Sequence, residues 1–141
     1  MAKDSIFLHK SSLQIKGQLM SLEQPIVMGI LNVTPDSFYD GGKYTDLDGA
    51  LLQCARMMED GAHIIDIGGI STRPGAERIS ADEEIRRIVP VIHAIIKRFP
   101  DIVLSLDTYH GKTAKEGLEA GAHIINDISG GAMDDSLFEI L

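Results

Sequence analysis

One cysteine, Cys54, is all that this 141-residue sequence holds. That excludes an intrachain disulfide and fits a reducing compartment. Cys54 falls in an apolar helical pattern, so a buried core thiol is expected rather than a reactive one. Basic charge is also scarce. Lys and Arg number 13 against 21 Asp and Glu, a formal net charge of −8. This argues against nucleic acid or an anionic membrane as the main partner, although a local anion site stays open to an acidic protein. No apolar run approaches the roughly 18 residues of a membrane span, and Met1-Ala2-Lys3-Asp4-Ser5 begins no signal-peptide-length segment. The expected location is the cytoplasm. His9, His63, His93, His110 and His123 show no metal-ligand spacing, so they are expected to be structural or exposed.

What is there is a regular alternation. Hydrophobic residues make up 44% and charged residues 24%, the balance of a chain able to bury a core. The first 25 residues read as a small β-hairpin turning at Lys16-Gly17, then a linker ending at Pro25. Ile26 to Leu31 is an apolar run without alternation, which predicts a strand buried on both faces. After a polar, Gly-rich loop, Thr45 caps a predicted helix whose face carries Leu47, Leu51, Cys54, Ala55 and Met58. Gly61 stops it, and Ile64 to Ile67 form a second strand. A loop from Gly68 to Ile79 leads to a capping box, Ser80 with Glu83. The following helix keeps its apolar spacing to Phe99, with a kink expected at Pro90. The acidic run Asp82-Glu83-Glu84 suits the dipole at that helix start. A third strand covers Ile102 to Leu106, and a short helix runs from about Lys112 to Ala120, ended by Gly121. Ile124-Ile125 lie in a fourth strand, and a last helix is predicted from Asp134. Gly61-Ala62-His63-Ile64-Ile65 recurs as Gly121-Ala122-His123-Ile124-Ile125, so one unit is repeated.

Strict alternation implies a parallel sheet with helices outside. It leaves a doubly wound sheet or part of a barrel. A dinucleotide fingerprint is missing after the first strand, where Asn32-Val33-Thr34-Pro35-Asp36-Ser37 stands, and no P-loop occurs. Each strand ends in polar residues on its C-terminal side. These are Asn32; Asp66 with Thr72 and Arg73 beyond it; Asp107 and Thr108; and Asn126 and Asp127. That edge carries the active site in parallel α/β folds. Asp66, inside its strand, is expected to position the loop.

The stretch Gly29-Ile30-Leu31-Asn32-Val33-Thr34-Pro35-Asp36-Ser37-Phe38, followed by Asp40-Gly41-Gly42, resembles the first signature of the dihydropteroate synthase family. Gly61 to Gly75, with Asp66-Ile67-Gly68-Gly69 and Ser71-Thr72-Arg73-Pro74-Gly75, is similar to the second. Ser105-Leu106-Asp107-Thr108 and Ile124-Ile125-Asn126-Asp127-Ile128 fit the next two strands of that family. The resemblance covers roughly residues 26 to 131.

The resemblance implies the N-terminal half, about four βα units, of a TIM (β/α)8 barrel. Residues 1–25 would be the hairpin and linker, and residues 26–141 the partial barrel with its C-terminal half absent. It implies a transferase of folate biosynthesis, in a family that sulfonamides target. Such an enzyme condenses 7,8-dihydropterin-6-ylmethyl diphosphate with para-aminobenzoate and releases diphosphate. The arylamine is a poor nucleophile, so catalysis means stabilising the departing charge and holding the pterin. Asn32 would offer a carbonyl oxygen to a water-rich Mg²⁺. Arg73 presents a donor fork for phosphate, and Thr72 a hydroxyl. Asp107 and Asn126 would read the amino-pyrimidinone edge of the pterin. Thr34, Pro35, Asp36, Ser37 and Phe38 belong to a loop that acts as a lid, with Gly41 and Gly42 letting it move.

The family's second half supplies a further Asp, a Lys, an Arg and a His that have no counterpart here. The chain alone is therefore expected to be weakly active or inactive, with a homodimer or a complementing C-terminal half as its protein partner. Two other readings are a pterin-binding methyltransferase domain serving a corrinoid protein and a non-catalytic pterin-binding half-barrel.

Overall fold

Lys16 and Gly17 both take positive φ, 55° and 73°. A two-residue turn needs that geometry to match the twist of the strands it joins. It links β1 (Ser12–Ile15) to β2 (Gln18–Ser21) in an antiparallel hairpin. Lys16 Nζ donates to the Pro100 carbonyl at 2.8 Å, tying the hairpin to the end of the sheet where strands begin. These elements come from a computed structural model of the protein, which describes residues 11–34, 46–70 and 78–141.

The main sheet holds four parallel strands in sequence order, β3 (Val27–Asn32), β4 (Ala62–Gly68), β5 (Val103–Asp107) and β6 (Ile124–Asn126). Between and after them come α1 (Asp46–Glu59), α2 (Ala81–Arg98), α3 (Gly111–Ala120) and α4 (Leu137–Ile140). Side chains alternate across a strand, so the register sorts them. Leu31, Ile67 and Leu106 share one row of the helix-facing side. They form a core with Ile65 and Leu104, Cys54 of α1, and Ile88 and Ile92 of α2. A Cβ at Gly117 of α3 would strike Leu106, so this helix lies against the same side. Helices α1, α2 and α3 thus cover one face only. A doubly wound sheet covers both, whereas a barrel turns its second face inward.

The first strand departs from expectation. It is not buried on both faces: Leu31 is 1% exposed, but Ile30 is 66% and Val27 55% exposed. Among the described residues β3 pairs only with β4, and its inner side chains are left uncovered. The α1 face is also shifted. Ala50 and Cys54 are fully buried, while Leu47 is 39% exposed. Thr45, its expected cap, lies outside the described residues.

Helix α2 begins as predicted, with Ser80 Oγ accepting from the Glu83 N–H at 3.2 Å. The Glu83 side chain does not turn back to complete the box. It pairs with Arg86 at 2.6 Å and Arg87 at 2.9 Å. The helix runs unbroken through Pro90. The last helix is shorter than predicted and starts at Leu137; before it, Asp134 Oδ1 accepts from the Ser136 N–H at 3.0 Å and Oδ2 from the Gly111 N–H at the head of α3 at 2.6 Å.

The repeated Gly-Ala-His-Ile-Ile unit has a physical job beyond ending a helix. Gly61 and Gly121 sit at φ 103° and 117°, a conformation other residues reach only with strain. The following histidines then act alike. His63 Nδ1 accepts from the Val27 N–H at 3.3 Å, and His123 Nδ1 accepts from the Leu104 N–H at 3.0 Å. Each imidazole receives a backbone donor near the start of the neighbouring strand, which fixes the orientation of its ring.

Candidate functional site

Parallel pairing brings the strand ends into one row. Asn32 pairs with Gly68, Gly68 with Asp107, and Asp107 with Asn126. Partners in register point to the same side of a sheet. Three polar side chains therefore stand together on the inner face at the C-terminal edge, and the position between Asn32 and Asp107 has no side chain. A Cβ built on Gly68 would lie 3.6 Å from Asn32 Oδ1 and 3.7 Å from Asp107 Oδ2. The absent side chain leaves a notch with a neutral carbonyl oxygen on one wall and a carboxylate on the other.

One step below runs a second inner row, Ile30, Asp66, Ser105 and Ile124. Asp66 is 4% exposed and Ser105 fully buried. Asp66 Oδ2 accepts from Asn126 Nδ2 at 3.0 Å. Asp66 Oδ1 and Ser105 Oγ have no hydrogen-bond partner among the described residues. Asp66 was expected to hold the loop beyond it; the partner it has is Asn126, two strands away.

Among the described residues, charge in the site is of one sign. Burial, then the neighbouring Asp66, then Asp127, push the Asp107 carboxyl above its ordinary value. Asp127 itself faces away from this task. Although burial works against the charge, N–H groups of Ser129 and Gly131 and the Ser129 hydroxyl hold its carboxyl down, at 2.8, 2.7 and 2.8 Å. It folds the loop after β6. Burial pushes the Cys54 thiol up to about 11, the inert state expected of it.

Under the site lies a carboxylate that sequence reasoning assigned to the helix dipole. Glu84 is fully buried and accepts from Thr108 Oγ1 at 2.9 Å. Thr108 follows Asp107, and its hydroxyl accepts from the His110 N–H at 3.1 Å. The helical spacing Glu84, Ile88, Ile92, Ile95 was the signal, since it sets the acid on the apolar stripe. Of the other predicted site residues, Thr34 is half-buried just after β3. Pro35, Asp36, Ser37, Phe38, Thr72 and Arg73 lie outside the described residues, as do Gly41 and Gly42. Among the described residues no three His, Cys, Asp or Glu side chains are grouped to hold a metal, and no helix is long and apolar enough to cross a membrane.

The family model described as pterin binding enzyme matches residues 28–141. The dihydropteroate synthase of Bacillus subtilis (strain 168) is 57% identical over 118 residues, covering 84% of this chain and 41% of the relative. A structure of Xanthomonas albilineans dihydropteroate synthase with 4-aminobenzoic acid superposes with a TM-score of 0.84 at 39% identity, covering 92% of this chain and 48% of that one. For Burkholderia cenocepacia dihydropteroate synthase complexed with 7,8-dihydropteroate the TM-score is 0.77 at 38% identity, covering 93% and 42%. The chain thus spans about two fifths of the length of the Bacillus relative.

Proposed function

This chain belongs to the pterin-binding enzyme family, and we propose that it supplies the half-site at which a dihydropteroate synthase holds 7,8-dihydropterin-6-ylmethyl diphosphate for attack by para-aminobenzoate. One observation carries the reading: Asn32, Asp107 and Asn126 stand in a single register row around the side-chain-free position Gly68.

The row divides the substrate chemically. A carboxylate accepts from ring N–H and amino groups, and an amide both donates and accepts, so the amino-pyrimidinone edge belongs at Asp107 and Asn126. A diphosphate would be repelled there. It belongs at the Asn32 end, with Thr72 and Arg73 as donors from the segment after β4. In the reaction the arylamine nitrogen bonds to the exocyclic methylene carbon. The carbon–oxygen bond to diphosphate breaks with its electron pair, and the amine releases a proton. Nothing in this scheme needs a strong base in the row. It needs the pterin held still and the departing charge stabilised.

A resident Mg²⁺ fits this donor set in one form only, as an ion that keeps most of its waters, with Asn32 Oδ1 as its protein ligand. When bound it would neutralise diphosphate charge and ease departure.

The protein works in the cytoplasm. The uncovered inner face of β3, with Ile30 66% exposed, supports a protein partner there, either a second copy or a complementing C-terminal half. Without it the 141-residue chain is weakly active or inactive. The test is calorimetric binding of the pterin diphosphate, with and without Mg²⁺. Asp107→Ala and Asn126→Ala should each weaken binding at least about tenfold, the worth of a hydrogen bond to a buried polar partner. Unchanged affinity in both would sink the reading, and robust diphosphate release by the chain alone would sink the claim of weak activity.

A further inference from the structure

Asn126 is an ambiguous recognition element, because its amide offers oxygen on one side and two N–H donors on the other. Turning it end over end would exchange donor for acceptor toward a ligand. Something must choose between the two orientations if the site is to discriminate.

We propose that Asp66 is a positioning residue that makes this choice, fixing which edge of the Asn126 amide faces the ligand. The inference rests on the proposed contact between Asn126 and the pterin edge. Asp66 and Asn126 are separated by the whole width of β5, two strand spacings or roughly 9–10 Å between backbones. On that face of β5 the register sets Asp107 beside Asn126 and, in Asp66's own row, Ser105. Its small side chain leaves room for the Asp66 carboxylate to pass over and meet Asn126 Nδ2 at 3.0 Å.

The chemistry of that contact is one-sided. An ionised carboxylate accepts and never donates. With Asp66 only 4% exposed, an amide turned the other way would set oxygen against oxygen out of reach of solvent. Asp66 Oδ1 has no partner of its own, so the bond to Asn126 is the carboxylate's one hydrogen bond among the described residues. One N–H of Asn126 is thereby used. The second N–H and the oxygen remain, side by side, a donor beside an acceptor.

Removing Asp66 should release the amide rather than unmake the site. Three χ1 wells and two amide faces give about six arrangements. If one of them is competent, apparent affinity falls by up to about sixfold. More telling, a released amide can adapt to a ring of opposite pattern.

The test uses the full chain with two probes, pterin and 2,4-dioxopteridine, in which an oxo acceptor replaces the amino donor. The wild-type chain should prefer pterin, and Asp66→Ala should narrow that preference at least about twofold. Ser105→Val, which fills the passage while leaving Asp66 in place, should narrow it too. In ¹⁵N-labelled wild-type chain without ligand, one Asn126 Nδ2 proton should be shifted downfield and protected from exchange, and this signature should vanish in either variant. A merely structural Asp66 would weaken both probes by the same factor and leave the ratio intact, which overturns the proposal. Solvent-like Asn126 amide signals in the wild-type chain overturn it without any variant. If the wild-type chain binds neither ring, the pterin reading is wrong. The amide signals alone then uphold or overturn the pinning of Asn126 by Asp66.

Discussion

Glu84 Oε2 and Thr108 Oγ1 share a 2.9 Å hydrogen bond inside the core, one residue from the candidate ligand-binding Asp107. Burial pushes the Glu84 carboxyl up; Thr113, Thr108 and His110 pull it down by less, and Asp107 adds to the rise. Glu84 Oε1 has no partner of its own. A carboxyl whose folded pKa exceeds its unfolded value of about 4.3 contributes stability below that value and loses it as pH rises through the folded pKa. Glu84→Gln cannot ionise, so its urea midpoint should decline less than wild type between about pH 4 and pH 8. Glu84→Ala strips Thr108 of its acceptor and opens a cavity, at a cost of about 2–4 kcal/mol.

Asp107 should impose a pH limit on pterin binding. Burial first, and then Asp66 and Asp127, raise its carboxyl. The ligand needs the ionised acceptor, so affinity should fall as pH drops through a value above the usual carboxylate range of about 3.9. Fluorescence titration of pterin across that window checks this. Asp107→Asn should bind at least about tenfold more weakly and show no such decline.

His123 should couple folding to acid. Burial holds its pKa down, with Lys16 adding to the effect. A depressed histidine contributes stability above its unfolded value of about 6.5 and loses it as pH falls through the folded pKa. His123→Asn keeps an acceptor for the Leu104 N–H without titrating. Thermal unfolding should then show a flatter profile on the acid side than the wild type.

Ser105→Ala should leave stability unchanged or raise it by up to about 1 kcal/mol. The fully buried hydroxyl has no partner among the described residues, and an unpaired buried hydroxyl destabilises a fold. Chemical denaturation measures it. A loss above about 1 kcal/mol would show that the hydroxyl is satisfied by something the site holds, such as a buried water.

The strand ends were legible because their chemistry is local. Asn32, Asp107 and Asn126 each interrupt an apolar run at the point where a parallel strand delivers its side chain to the C-terminal edge. Ser80 announced α2 by the same kind of short-range signal. What failed was non-local. The apolar run in β3 does not encode whether anything covers Ile30, because that depends on what packs on the sheet. Asp66 looked like a loop anchor, since a carboxylate in a strand carries no mark of a partner 60 residues away. Glu84 was hidden by its neighbours: Asp82 and Glu83 reach basic partners at the surface, Lys112 at 2.6 Å for Asp82. The third acid of the run turns inward because its position on the helix wheel does.

Gly68 brings these threads to one atom that is not there. Its φ is not among the positive ones, and a Cβ would meet its neighbours no closer than 3.6 Å, an ordinary contact. Gly68→Ala should therefore fold, and it should gain roughly 0.5–1 kcal/mol from reduced freedom in the unfolded chain, while pterin binding falls as the notch fills. Paired unfolding and binding measurements would separate the two effects. A screen that rewards only thermal endurance would select that change and silently discard the proposed pterin binding. A survey of folding sees only the gain at this position, and only an assay that contains the ligand can see the loss.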